Sequence, residues 1–219
     1  MNPTGESPGA PAGPRGTQRL EAFSDGVFAI AITLLVLDLA VPANAHSQRH
    51  LLNAIGDQWP GYLGYLVSFS TIGAFWLGHN AVTDYLDHAD LTLLRLNLLL
   101  LLFVSFLPFP TRLLSEYVRT SRAERVAVIT YGITLLLATA LLLLLWRYAI
   151  RARLVRPDIN DEEITLLSRR LTPSLAGYGL FALTGLFLPI VAVFGYGAIA
   201  LYLLIPLHLR KRTPNRPDS

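Results

Sequence analysis

The chain has no cysteine, a single lysine at Lys211, and charge on only 15% of its 219 residues. The missing cysteines exclude disulfides, thiolate metal sites, a cysteine nucleophile and iron–sulfur chemistry. HExxH is absent as well, and no hydroxyl stands near His79 at a spacing that makes a catalytic dyad. No long internal repeat is visible, which leaves an inverted-repeat transporter without direct support. The basic residues are almost all arginine and, Arg95 apart, flank the apolar runs. The net charge of +3 therefore reports membrane orientation rather than nucleic-acid binding.

What the chain does have is apolar surface, 53% of its residues, the balance of a protein that lives largely in lipid. A transmembrane helix needs about 20 mostly apolar residues. Six stretches approach that: Glu21 to Val41, Trp59 to Gly78, Leu91 to Phe109, Arg125 to Trp146, Leu171 to Val191 and Tyr196 to Leu209. The expected fold is all-α and polytopic, with a six-helix domain over residues 19–209 between a disordered tail at 1–18 and a basic tail at 210–219. Met1 to Gln18 is read as disordered because Pro, Gly, Ser and Thr dominate it and it has little apolar side chain to offset ordering. An even number of spans puts both termini on one side. Placing that side in the cytoplasm gathers Arg15, Arg19, the cluster from Arg147 to Arg170, and Arg210, Lys211, Arg212 and Arg216, as the positive-inside rule asks. The stretch between Arg147 and Arg170 also holds Asp158, Asp161, Glu162 and Glu163 and reads as a short interfacial helix with its own charge pairs. Ala43-Asn44-Ala45 resembles a leader cleavage site. The preceding run is long for a leader, however, and carries Asp25 and Asp38 at its ends, so it reads as a retained membrane helix.

The first of these helices is the most informative. Arg19 to Asp38 runs RLEAFSDGVFAIAITLLVLD, and lipid offers the Ser24–Asp25 pair no hydrogen-bond partner, so the pair needs a protein environment. At 100° per residue, Ile30, Leu34, Leu37 and Val41 all fall within about 40° of Phe23, with Thr33 about 60° to one side of Ile30. Ser24 and Asp25 fall far from that stripe. A conducting face is thereby separated from a bracing face, while periodicity alone also allows the stripe to be lipid-facing or packing surface. Arg19 lies close enough to the headgroups to snorkel.

Other polar groups sit at the same membrane depth. Trp76 and His79 share a face of the second helix, and Arg95 and Asn97 lie just inside the third. A satisfied network among these groups would fix how the first helix is held, although His79 read alone is equally an interfacial histidine. No second histidine or carboxylate stands at ligand spacing within one helix, so no bound metal or cofactor is expected. Gly195-Tyr196-Gly197 looks like the Gly-Tyr-Gly of a carbonyl selectivity filter. The interval after Pro189 is too short for a pore helix and re-entrant loop, and the expectation is a turn joining the last two helices with Tyr196 at the interface.

Taken together, Arg19-x-x-x-Phe23-Ser24-Asp25-Gly26 at the mouth of the first span, Trp76 and His79 ending the second, and Asn97-Leu98-Leu99 with Pro108-Phe109 in the third resemble the transmembrane protein 175 family of potassium channels. The likeness is close in three spans and only hydropathic in the remaining three. One such block resembles the bacterial members, which assemble as tetramers. The resemblance implies a multi-pass protein of the cell membrane with both termini cytoplasmic, whose partners are three further copies, lipid and permeant potassium ions, and not nucleic acid. It implies that four first helices line the pore, with Ile30 and Leu37 as apolar constrictions, Thr33 as a hydroxyl layer between them and Leu34 on the same stripe. Arg19, Phe23, Ser24, Asp25, Gly26, Trp76, His79 and Asn97 would then form a structural polar network that aims the helix without touching ions. A ring of Ile30 would gate by dewetting. The competing reading is a cation or proton transporter in which Asp25 and His79 titrate; a non-conducting membrane scaffold is a further class.

Overall fold

Residues 15–39, 48–117 and 123–205 are described by the computed structural model, and they are almost wholly helical. The elements are α1 (Arg15–Leu34), continued by a 3-10 turn at Leu35–Asp38, α2 (Gln48–Asp57), α3 (Trp59–Thr83), α4 (Leu91–Phe106), α5 (Pro108–Tyr117), α6 (Glu124–Arg151), α7 (Asp161–Thr184) and α8 (Pro189–Leu204). By length and composition three described segments suffice to cross a membrane: Thr17–Asp38, Leu91–Tyr117 and Glu124–Arg151. α3 and α7 reach the length, but α3 is interrupted by glycine, serine and threonine and α7 opens on charge. α8 is apolar and 16 residues long.

The helix boundaries follow local chemistry. α3 and α8 each carry proline in the first turn, where a missing N–H costs nothing. α7 opens on Asp161, Glu162 and Glu163, which suit the positive end of the helix dipole. Asp90 caps α4 by accepting from the Leu93 amide at 2.8 Å, and its other oxygen accepts from the Tyr148 hydroxyl at 2.5 Å. One carboxylate thus ties the start of α4 to the end of α6. Across the same end of the molecule Leu86 and Val155 form an antiparallel bridge, flanked by Asp87 N–H to the Leu154 carbonyl at 2.8 Å and Arg156 N–H to the Tyr85 carbonyl at 2.9 Å.

α3 and α6 occupy the middle of the bundle. α3 packs on α8, α5 and α1, and α6 on α7, α4 and α5. Tyr131 and Trp146 of α6, Tyr178 of α7 and Tyr196 of α8 are fully buried. A buried hydroxyl chain joins α3, α5 and α6: Thr111 donates to the Leu107 carbonyl at 2.8 Å, so it accepts from Ser68 at 2.7 Å, and Ser68 in turn accepts from Tyr131 at 3.0 Å. Each oxygen's proton is committed to the next, which fixes the direction of the chain.

Several expectations are corrected. The first helix starts at Arg15, so the last four residues assigned to the tail are helical. The third apolar run does not end at Phe109 but is interrupted at Leu107 and resumes to Tyr117, because Pro108 and Pro110 lack the N–H groups a continuous ladder needs. The stretch between Arg147 and Arg170 contains no separate interfacial helix. Asp161, Glu162 and Glu163 form the first turn of α7, and Asp158, ahead of that helix, pairs with Arg156 at 3.5 Å. The last two helices divide at residues 185–188, earlier than hydropathy suggested. Gly195-Tyr196-Gly197 is therefore no turn: it lies inside α8 and is buried. The reason is packing. A Cβ at Gly195 would enter the Phe181 ring, and one at Gly197 would lie 3.2 Å from Val67, so the two glycines let α8 approach α7 and α3. Val41, Ala43 to Ala45 and both tails, apart from Arg15 to Gln18, lie outside the described residues.

Two measurements check this account. A Cβ at Gly132 would overlap the buried Tyr196 hydroxyl, so Gly132→Ala is expected to lose about 1–3 kcal/mol, read as a lower thermal midpoint in detergent. The Asp90 carboxyl is held below its ordinary 3.8, first by the Tyr148 hydroxyl and then by the Leu93 amide. The stabilisation is therefore complete above the ordinary value and is lost as pH falls through the lower folded one. Asp90→Asn should flatten that acid loss below about pH 4 and leave the slope near neutrality unchanged, as acid unfolding monitored by circular dichroism will show.

Candidate functional site

α1 is divided into two faces. Thr17, Leu20, Ser24, Phe28, Ala31 and Leu35 are buried, a spacing of three and four that makes one stripe along a helix. They face α3 and α4. On the other side Phe23, Ile30, Leu34 and Leu37 are exposed, Ile30 at 61% and Leu37 at 76%, together with Gly26 and Thr33. Thr33 donates its hydroxyl proton to the carbonyls of Ile30 and Ala29, each at 2.9 Å. What Thr33 presents outward is therefore oxygen, not a proton. The 3-10 turn after Leu34 stretches the helix, since each residue there rises about 2.0 Å rather than 1.5 Å. Leu37 stands about 12 Å beyond Ile30, not the ~10 Å of an unbroken α-helix.

The buried face carries a three-helix hydrogen-bond chain. Ser24 donates to the Leu20 carbonyl at 2.8 Å, so toward Asn97 it acts as acceptor, and the Asn97 amide nitrogen donates to it at 3.0 Å. That orientation turns the Asn97 carbonyl oxygen to His79, whose Nε2 lies 2.8 Å away and must be the donor. The histidine tautomer is thus set by a serine two residues up the chain of contacts. Ser24, His79 and Asn97 are all essentially excluded from solvent. Phe28 covers the imidazole, with ring centroids 5.6 Å apart. His79 Nδ1 has no hydrogen-bond partner among the described residues.

A second arm lies at the edge of the subunit. Trp76 Nε1 donates to Asp25 Oδ1 at 2.8 Å, and both residues are exposed. Asp25 and His79 therefore do not meet: each has a different partner. Arg19, Phe23, Gly26 and Arg95 are exposed and take no part in either arm among the described residues, contrary to their expected place in one network. The physical reason is angular, because Phe23 and Gly26 lie on the free face and the two arginines are exposed. Within the subunit nothing requires glycine at 26, where an added Cβ would meet no atom within 4 Å. Phe28 is the contributor that sequence reading missed, although its position four residues after Ser24 and seven before Leu35 marks the same stripe. The leading perturbation is at Asn97. Asn97→Leu leaves the His79 Nε2–H buried without an acceptor and takes from Ser24 its donor while its own bond to Leu20 stays, a loss of about 1–3 kcal/mol for the stranded imidazole. Trp76→Phe leaves Asp25 at an exposed edge and should cost less, which paired thermal unfolding in detergent will measure.

Comparison with known proteins gives this geometry a context. The family model described as the endosomal/lysosomal potassium channel TMEM175 matches residues 19–108, the span that holds both arms. A protein of Streptomyces collinus named as a potassium channel is 39% identical over 185 residues, covering 84% of this chain and 89% of its own. The crystal structure of a lysosomal potassium-selective channel TMEM175 homolog from Chamaesiphon minutus superposes with a TM-score of 0.77 at 33% identity, over 85% of this chain and 95% of that one. The endosomal/lysosomal proton channel TMEM175 of Gallus gallus is 38% identical over 122 residues, 52% of this chain and 24% of that longer protein. The family is one of channels and not of enzymes. By sequence, by fold and by the residues around its first helix, this chain belongs to the TMEM175 family.

Proposed function

We propose that the protein is a potassium channel of the cell membrane in which α1 helices from four six-span copies line a central ion path, with both termini in the cytoplasm. The observation that carries this reading is the division of α1. One face is bound to α3 and α4 by directional hydrogen bonds, and the opposite face leaves Ile30, Thr33, Leu34 and Leu37 exposed among the described residues. The potassium-channel names of its bacterial relatives support the choice of ion.

In this reading Ile30 and Leu37 form two apolar collars. A ring of such side chains closes a pore by dewetting and opens with little movement. Potassium holds its hydration water less tightly than sodium and crosses such collars more readily. Between the collars the Thr33 oxygens face inward with their lone pairs free, because their protons are given to the helix's own carbonyls. A ring of acceptors suits a partly dehydrated cation. The carrier alternative would pass protons between Asp25 and His79, but those two side chains are separately engaged with Trp76 and Asn97.

Single-channel recording of the purified protein in planar bilayers, with potassium on one side and sodium on the other, tests the reading. Ile30→Asn is expected to raise open-state current or relax selectivity, since a polar collar no longer dewets. Thr33→Ala is expected to move the reversal potential toward zero. If neither variant changes conduction, Ile30 and Thr33 do not line the path, and saturable flux far below channel rates would identify a carrier instead.

A further inference from the structure

A cavity of about 220 Å³ lies between α3, α6, α7 and the end of α8. Its walls are mostly apolar, with Ala74, Leu77 and Ala81 on α3, Leu142 on α6, Leu171 on α7 and Leu204 on α8. Glycine at 78 keeps the α3 wall low, since a Cβ there would lie 3.1 Å from a Leu142 methyl. The charged residue on the lining is Arg170, which is half-buried. Its Nη2 donates to the carbonyls of Leu203 and Ile205 and so closes the end of α8. That leaves Nε and Nη1 with N–H donors still to place. Among the described residues no carboxylate pairs with it, the ion pairs there being Arg156 with Asp158 and His88 with Asp87. Arg169 beside it is exposed.

We propose that this cavity takes one acyl chain of an anionic phospholipid whose phosphate is held by Arg170 and Arg169. The walls offer an acyl chain apolar surface, and a guanidinium with free donors matches phosphate oxygens in a fork; a zwitterionic headgroup brings the same phosphate but sets its own cation beside the two arginines, which repel it. Charge also selects against the nearest rival occupant. The chain beyond Ile205 carries Arg210, Lys211, Arg212 and Arg216, and bringing it to Arg169 and Arg170 sets like charges together. The location gives the site a role. At 100° per residue Ala74, Leu77 and Ala81 fall on the side of α3 opposite His79, so the lipid bears on one flank of the helix whose other flank holds α1. Occupancy therefore acts on the pore-helix anchor through the thickness of a single helix.

The experiment uses the full-length protein in phosphatidylcholine vesicles doped with a lipid carrying a photoactivatable group in its acyl chain, either as phosphatidylglycerol or as phosphatidylcholine. With phosphatidylglycerol, mass spectrometry should find adducts on the segments Ala74–Ala81 and Leu167–Ser174, roughly tenfold above the phosphatidylcholine probe, whose choline cation the two arginines repel. Arg170→Gln should remove that preference. Because Arg170 also closes α8, Ala81→Trp provides an independent variant, filling the cavity with the arginine intact, and it should abolish the adducts from both probes. Equal labelling by the two lipids, labelling unaffected by Ala81→Trp, or phosphatidylglycerol adducts that appear only after removal of residues 206–219 would each overturn the proposal. The last result would mean that the chain fills its own cavity. The readout is binding, so it stands or falls apart from any measurement of conduction.

Discussion

One amide side chain holds three helices in a fixed relation. Asn97 gives its N–H to Ser24 of α1 and its carbonyl oxygen to His79 of α3, while its own backbone belongs to α4. In hydrocarbon no water stands ready to replace either bond, so breaking one leaves a polar group stranded. The bonds are also ordered. Ser24 spends its proton on Leu20, Asn97 must then point its nitrogen at Ser24, and only a donor fits at the far end. Every other feature of the α1 surface depends on this, because rotating α1 to present a different face would require the chain to be unmade.

The remaining bundle is held by weaker and more numerous means. Glycine at 195 and 197 lets α8 approach its neighbours closely, and the hydroxyl chain from Tyr131 through Ser68 to Thr111 joins α3, α5 and α6. At the end of the molecule where α1 begins, the Leu86–Val155 bridge and the Asp90–Tyr148 bond clip the α3–α4 connection to the end of α6. The part of the chain beyond the family model's match at residue 108 is thus mechanically continuous with the part that carries the motif.

How much of this was legible in the sequence depends on whether polarity or apolarity carried the signal. Ser24, Asp25, Trp76, His79 and Asn97 stood out because polar groups in lipid need partners, and the structure gives each of them one. The free stripe of α1 followed from helical angles. The ends of α7 and α8 did not, because a long apolar run reads the same along its length whether it is one helix, two, or a helix and a turn. Gly195-Tyr196-Gly197 misled for a related reason: glycine marks turns in water, but between membrane helices it marks close approach. Which of Oδ1 and Nδ2 on Asn97 faces which neighbour is set only by three-dimensional contacts, as is the exclusion of Arg19 and Gly26 from both arms.

The two ends of α1 are fastened differently. Near Ser24 and Asp25 the fastening is directional, whereas at Leu35 it is a fully buried apolar side chain against α3 and α5, a contact that tolerates sliding. Engineers would call this one fixed bearing and one sliding bearing. Leu37 lies about 21 Å along the axis from Ser24, so each degree of tilt about the fixed end carries Leu37 roughly 0.4 Å sideways and Ile30 less than half as far. Small rotations at the polar pin thus displace Leu37 more than Ile30, as a lever does with its fulcrum at Ser24.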